Sequence, residues 1–111
     1  MAMQWKYSNG YDTSEFLTSL AFEEDAELTE EQKDLFLRCS AGASSLTLTL
    51  GLADGQPMFI IGDSNSYVFT AANLEGDTGE TIKSGEVWLA IGATASNATS
   101  FTKLYGATEP A

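Results

Sequence analysis

The chain has no histidine and a single cysteine, Cys39, among its 111 residues. Without histidine the commonest general base and metal ligand is missing, and neither a Ser-His-Asp nor a Cys-His nucleophile can be assembled. One thiol builds no disulfide framework and no cysteine metal site within a chain. Cations are scarce as well. Lys6, Lys33, Arg38, Lys83 and Lys103 stand against 16 acidic residues, for a net charge of −11. They are scattered and form no patch, which argues against nucleic acid and against anionic membrane surfaces as partners, since both require cations that neutralise phosphate. No apolar run approaches the roughly 18 residues that read as a membrane span. Residues 1–12 have neither the basic nor the apolar region of a secretion signal, so none is expected. The sequon Asn97-Ala98-Thr99 is accordingly expected to be a chance match.

What remains is the composition of a single globular domain. The acids are uneven: seven of the 16 fall in residues 23–34, EEDAELTEEQKD, opposed there by Lys33 alone. This run reads as a solvated loop and helix start, or as an electrostatic contact for a basic partner. Residues 1–12 read as an extended arm in which Trp5 and Tyr7 share a face, with Tyr11 further on. An aromatic terminus of this kind docks on its own core or on a neighbour. Residues 13–22, TSEFLTSLAF, fit a short helix or a strand. Thr29 with Gln32 has the spacing of a capping box, predicting a helical turn over 29–33. The following DLFLRCS is compatible with helix or strand.

From residue 44 the pattern is β. Leu46, Leu48, Leu50 and Leu52 alternate with Thr47, Thr49 and Gly51. Asp54-Gly55 supplies turn chemistry of the hairpin kind. Met58-Phe59-Ile60-Ile61 is a continuous apolar run, suited to a strand covered on both faces. Strands are further expected at 67–71, 87–91 and 101–105, with a frayed tail at 107–111. The fold class that follows is mainly β, a small antiparallel sandwich or barrel, with an N-terminal arm at 1–12 and one domain at 13–106. The domain carries a short helical or irregular segment within 14–40. No internal repeat is evident.

Several residues are candidates for chemistry. Cys39 reads as a buried small hydrophobe rather than a nucleophile. No spacing selects two carboxylates for glycoside hydrolysis, so the chain is read as non-enzymatic, with no cofactor. Asp63 and Asn65, with Glu75, Asp77 and Glu80, offer hard oxygen ligands in two loops flanking one strand, as calcium requires, but they lack the EF-hand pattern. Trp88 alternates with Val87, Leu89 and Ile91. If those three line the core, Trp88 faces outward among small residues and is covered by the chain itself, by a partner, or by a ligand.

Ala, Ser and Thr make up 37 of the 111 residues. With stretches such as GEVWLAIGATASNATSFTKLYG (85–106) and the arm QWKYSNGYD (4–12), the chain resembles small β-rich virion structural proteins of tailed bacteriophages, of the capsid decoration (cement) or head or tail fibre type. The likeness is one of size and texture over residues 44–106 and the arm. It implies a homo-oligomer, with a trimer favoured. Such an oligomer is made in the host cytoplasm and bound on the exterior of the virion to the major capsid protein or another virion protein, where several weak contacts add through effective concentration. Trp5, Tyr7, Tyr11 and Trp88 are the expected partner-binding residues. The alternative from the residues themselves is a carbohydrate-binding module or adhesin. Trp88, Tyr67 and Tyr105 would then be its stacking faces, with calcium between the two acidic loops as an optional aid.

Overall fold

The computed structural model describes residues 19–106. The expected arm, with Trp5, Tyr7 and Tyr11, and the expected tail at 107–111 lie outside them. The chain passes back and forth between two sheets. One holds β1 (Ser19–Phe22), β3 (Phe36–Ala41), β5 (Pro57–Gly62), β8 (Val87–Ile91) and β9 (Ser100–Tyr105), in the order β1-β3-β5-β8-β9. The other holds β2 (Ala26–Glu27), β4 (Leu46–Thr49), β6 (Phe69–Ala72) and β7 (Glu80–Ile82), in the order β2-β4-β6-β7.

The first six strands alternate between the sheets, and each passage stacks parallel on the one before: β1 on β3 on β5, and β2 on β4 on β6. The last three strands reverse. β7 runs antiparallel to β6, β8 to β5 and β9 to β8. The antiparallel expectation is therefore corrected: both sheets are mixed, and they are not closed into a barrel. A period of two marks a strand but carries no direction, so the alternation in residues 46–52 is equally compatible with either pairing. Asp54-Gly55 does turn the chain, with Gly55 at φ +78° and the Gln56 N–H donating to the Ala53 carbonyl at 3.0 Å. It links β4 to β5 across sheets, however, and is not a hairpin.

Near the N-terminal end, Ser19–Phe22 forms a strand, and Phe36–Ala41 resolves the same way, with Leu37 and Cys39 buried. The expected helical turn is a 3₁₀ turn at Glu30–Gln32. The Gln32 side chain accepts from the Thr29 N–H at 2.9 Å, and the Gln32 N–H donates to the Thr29 carbonyl at 3.0 Å. Lys33 ties this turn to the core by donating to the Gly51 carbonyl at 2.9 Å. Among the described residues there is no α-helix.

Inward-facing residues of both sheets form one core, in which Leu48, Leu50, Met58, Ile60 and Phe69 are fully buried. Phe22 meets Phe69 edge to face, with ring centroids 5.6 Å apart, a favoured aromatic geometry. Cys39 is fully buried here, and burial pushes its thiol up to about 12, consistent with an inert small hydrophobe. Asn73 is the buried polar peg of the fold. Its Oδ1 accepts from the Leu52 N–H at 2.6 Å, and its Nδ2 donates to the carbonyls of Leu52 and Ala93. Three loops are thereby joined, and the two backbone groups of Leu52 are satisfied where water does not reach.

Candidate functional site

Strand alternation gives each sheet an outer face, and the two faces differ in kind. On the four-stranded sheet the outward positions include Thr47, Thr70 and Thr81, which pair across β4, β6 and β7, and Glu27 beside Thr49. Asp25, Glu27 and Glu75 border a groove on this side, and the Asp25 carboxylate accepts the Thr47 N–H at 3.0 Å. This face is suited to water.

The outer face of the five-stranded sheet is apolar. Phe36, Phe59 and Leu89 lie in one cross-strand row, and Ile61 pairs with Val87 in the next. Ile91 adjoins them beside Pro57. The rings of Phe36 and Phe59 are stacked, 5.0 Å between centroids and 14° between planes. Phe36 is 48% exposed and the adjacent Leu35 is 47% exposed. The remaining members are half-buried. A polar corner bounds the patch: the Asp63 carboxylate lies 3.6 Å from the Arg38 guanidinium and accepts from the Ser19 hydroxyl at 3.0 Å. Among the described residues no element packs over this face, and a contiguous apolar face of this kind is informative in a way that a scattered exposed leucine is not.

This arrangement reverses the expected facing of β8. Ala90 is fully buried and Trp88 packs against the core, whereas Val87, Leu89 and Ile91 point outward. The reason lies one residue upstream. Glu86 is 4% exposed, and its Oε1 accepts from the Trp88 indole Nε1–H and from the Lys83 backbone N–H, each at 2.9 Å. Its Oε2 lies 3.4 Å from the Lys103 ammonium on β9. Burial by itself would raise this carboxyl, but the hydrogen bonds from Trp88, Lys83 and Lys103 and the charge of Lys103 hold it below the ordinary carboxylate value. Indole and carboxylate satisfy each other on the inner side, and the small Ala90 lets the larger ring pack.

The other sequence-derived candidates separate. Tyr67 and Tyr105 are 57% and 71% exposed. Tyr105 pairs with Val87 at the rim of the apolar face, whereas Tyr67 bridges to Ala41 at the far end of β3. The two acidic loops lie at opposite ends of β6. Asp63 is engaged at the polar corner. Asp77 caps its own loop, accepting from the Leu74 N–H at 3.2 Å and the Ser96 hydroxyl at 2.8 Å. Among the described residues no group of three or more carboxylate or thiol side chains is placed to hold a metal ion. A polar cleft does form beside Asp77, Glu80 and Asn97, with Phe101 in its wall.

Phe36, Phe59 and Leu89 are not among the site residues expected from sequence. The signal for them is that Met58–Ile61 and Val87–Ile91 are apolar at successive positions, which asks for cover on both sides. No family model, no curated protein and no solved structure matches this chain.

Proposed function

We propose that this chain is a non-enzymatic structural protein that docks on a protein surface through the outer face of its five-stranded sheet. The observation that carries the reading is the asymmetry of the two outer faces, one apolar apart from the Arg38–Asp63 pair at its corner, the other threonine-rich and acidic. A β-sandwich with one apolar and one hydrated face is oriented when it binds: the first face meets the partner and the second meets water. Together with the resemblance in size and texture, this supports a capsid decoration protein bound on the exterior of a phage shell. The acidic residues 23–34 and the four-stranded sheet then point outward. Docking as a homo-oligomer would add several such faces through effective concentration.

The test is co-sedimentation with shells assembled from a tailed-phage major capsid protein. The wild type pellets with the shells. Phe36→Asp and Leu89→Asp remain in the supernatant, and Thr47→Asp on the opposite face still pellets. Wild-type chain that stays in the supernatant overturns the reading. The polar cleft with Asp77, Glu80, Asn97 and Phe101 favours a second reading, a carbohydrate-binding module. A glycan array probed with and without chelator tests it, and silence in both arms removes it.

A further inference from the structure

We propose that β9, an outer strand of the five-stranded sheet, pairs antiparallel with β9 of a second copy of this chain and joins the two sheets into one. The pairing stands apart from the proposed function; its consequence, that two apolar faces dock side by side, rests on that reading.

An open sheet ends in a row of backbone N–H and C=O groups, half of them turned away from the neighbouring strand and available to another chain. Among the described residues four strands are outer ones, β1 and β9 of one sheet and β2 and β7 of the other. Three of them are short and bordered by acids. β2 is two residues long and carries Glu27. β7 is three residues long and begins at Glu80. β1 has four residues and runs directly into Glu23, Glu24 and Asp25. β9 has six, SFTKLY, with no proline, glycine or acid. Phe101, Thr102 and Tyr105 are strand formers, and a six-residue segment of low charge and this composition pairs readily with its own copy.

Lysine is the residue that most often guards such an edge. β9 has one, Lys103, and its ammonium is drawn back to the Glu86 carboxylate, 3.4 Å away. Leu104 and Tyr105 stay exposed beside it, Leu104 by 51%. The register with β8 skips Leu104, a bulge that ends the regular stretch, so Ser100–Lys103 is the segment left to pair.

Charge and symmetry select the occupant. A chain of net −11 repels its copy, so two copies meet with least cost where acids are absent, as they are on β9. Identical antiparallel strands complement each other about a twofold axis, and an axis normal to the sheet keeps each side chain on its own face. Thr102, which pairs with Leu89 on the outer side of β8, then stands opposite Thr102 of the second copy, a favourable cross-strand pair. Phe101 of each copy stands opposite Lys103 of the other, and the two lysines are kept apart. Both apolar outer faces lie on the same side of the joined sheet, so one partner surface meets both.

The experiment is sedimentation equilibrium of the full chain over a concentration series at low and high salt. A single strand pair makes a small interface, so a reversible dimer is expected only at high micromolar chain. Salt screens the like charges, so the dimer is expected to tighten as salt rises. Thr102→Lys sets two lysines opposite each other and is expected to weaken the dimer roughly fivefold or more, although it lowers the net negative charge. Thr81→Lys, the same change on β7, is expected to leave it unchanged. If Thr102→Lys unfolds by circular dichroism, Ser100→Lys serves in its place. Monomer at every concentration and salt overturns the proposal. A dimer that survives Thr102→Lys, or is weakened equally by Thr81→Lys, also overturns it. Wild-type chain that dimerises but does not sediment with shells removes the paired docking and leaves the strand pairing. A monomer that does sediment removes the pairing and leaves the docking.

Discussion

The indole N–H of Trp88 donates to the Glu86 carboxylate at 2.9 Å, on the inner side of β8, where Lys103 from β9 also meets Glu86. This buried group joins the last two strands of the five-stranded sheet and sets which way β8 faces. Glu86→Gln is expected to lower stability by about 2 kcal/mol at neutral pH, because the charged acceptor is lost. Urea unfolding monitored by far-UV circular dichroism measures it.

The same carboxyl predicts a pH dependence. Its folded value lies below the ordinary one, so the unfolded chain binds the proton first as pH falls. The stability it contributes is complete above the unfolded carboxylate range, near pH 4.3, and is lost as pH drops through the folded value. Wild type and Glu86→Gln should therefore differ most at neutral pH and converge as pH falls below the unfolded carboxylate range. Parallel stability curves across that range would contradict this.

Asn73 holds three backbone groups, two buried on Leu52 and one part-buried on Ala93. Asn73→Ala strands the two on Leu52 without water and is expected to cost about 3 kcal/mol, enough to move the thermal midpoint by several degrees. Calorimetry reads the shift. Asn73→Asp keeps the acceptor for the Leu52 N–H but loses both donated bonds, so it should not recover the wild-type value.

Gly79 has φ +68°, and a Cβ there would run into the Ala71 carbonyl oxygen. Gly79→Ala should destabilise by more than about 1 kcal/mol. Gly55→Ala, at φ +78° with no neighbouring atom within 4 Å, should cost only the backbone strain of about 1 kcal/mol. Equal midpoints for the two variants would show that the close approach at Gly79 is relieved by local movement.

Cys39 is buried, with its thiol pushed up to about 12. The native chain should not react with Ellman's reagent at pH 8, and one thiol should appear on unfolding in urea. Rapid labelling of the native chain would place Cys39 outside the core.

The strands after residue 44 were legible because alternation is local: Leu46, Leu48, Leu50 and Leu52 must share one side of any extended chain. The 3₁₀ turn at Glu30–Gln32 was legible from Thr29 and Gln32, whose bond spans three residues. Strand direction was not. Parallel stacking of Ser19 on Arg38 and of Arg38 on Ile61 joins residues about twenty apart through backbone groups that every residue type carries. Likewise, β8 offers Trp88 with Ala90 on one side and Val87, Leu89 and Ile91 on the other, and both sides are apolar enough to face a core.

The sequence by itself determined that this is a β-rich, strongly acidic chain without the residues of histidine or multi-thiol chemistry, since composition and a period of two are properties of the covalent chain. Tertiary structure alone decided which apolar side went inward. The buried acceptor on Glu86 recruits Trp88, and the core opposite has room for an indole beside Ala90. Val87, Leu89 and Ile91, joined by Phe36, Phe59 and Ile61 across the sheet, are thereby turned to the surface.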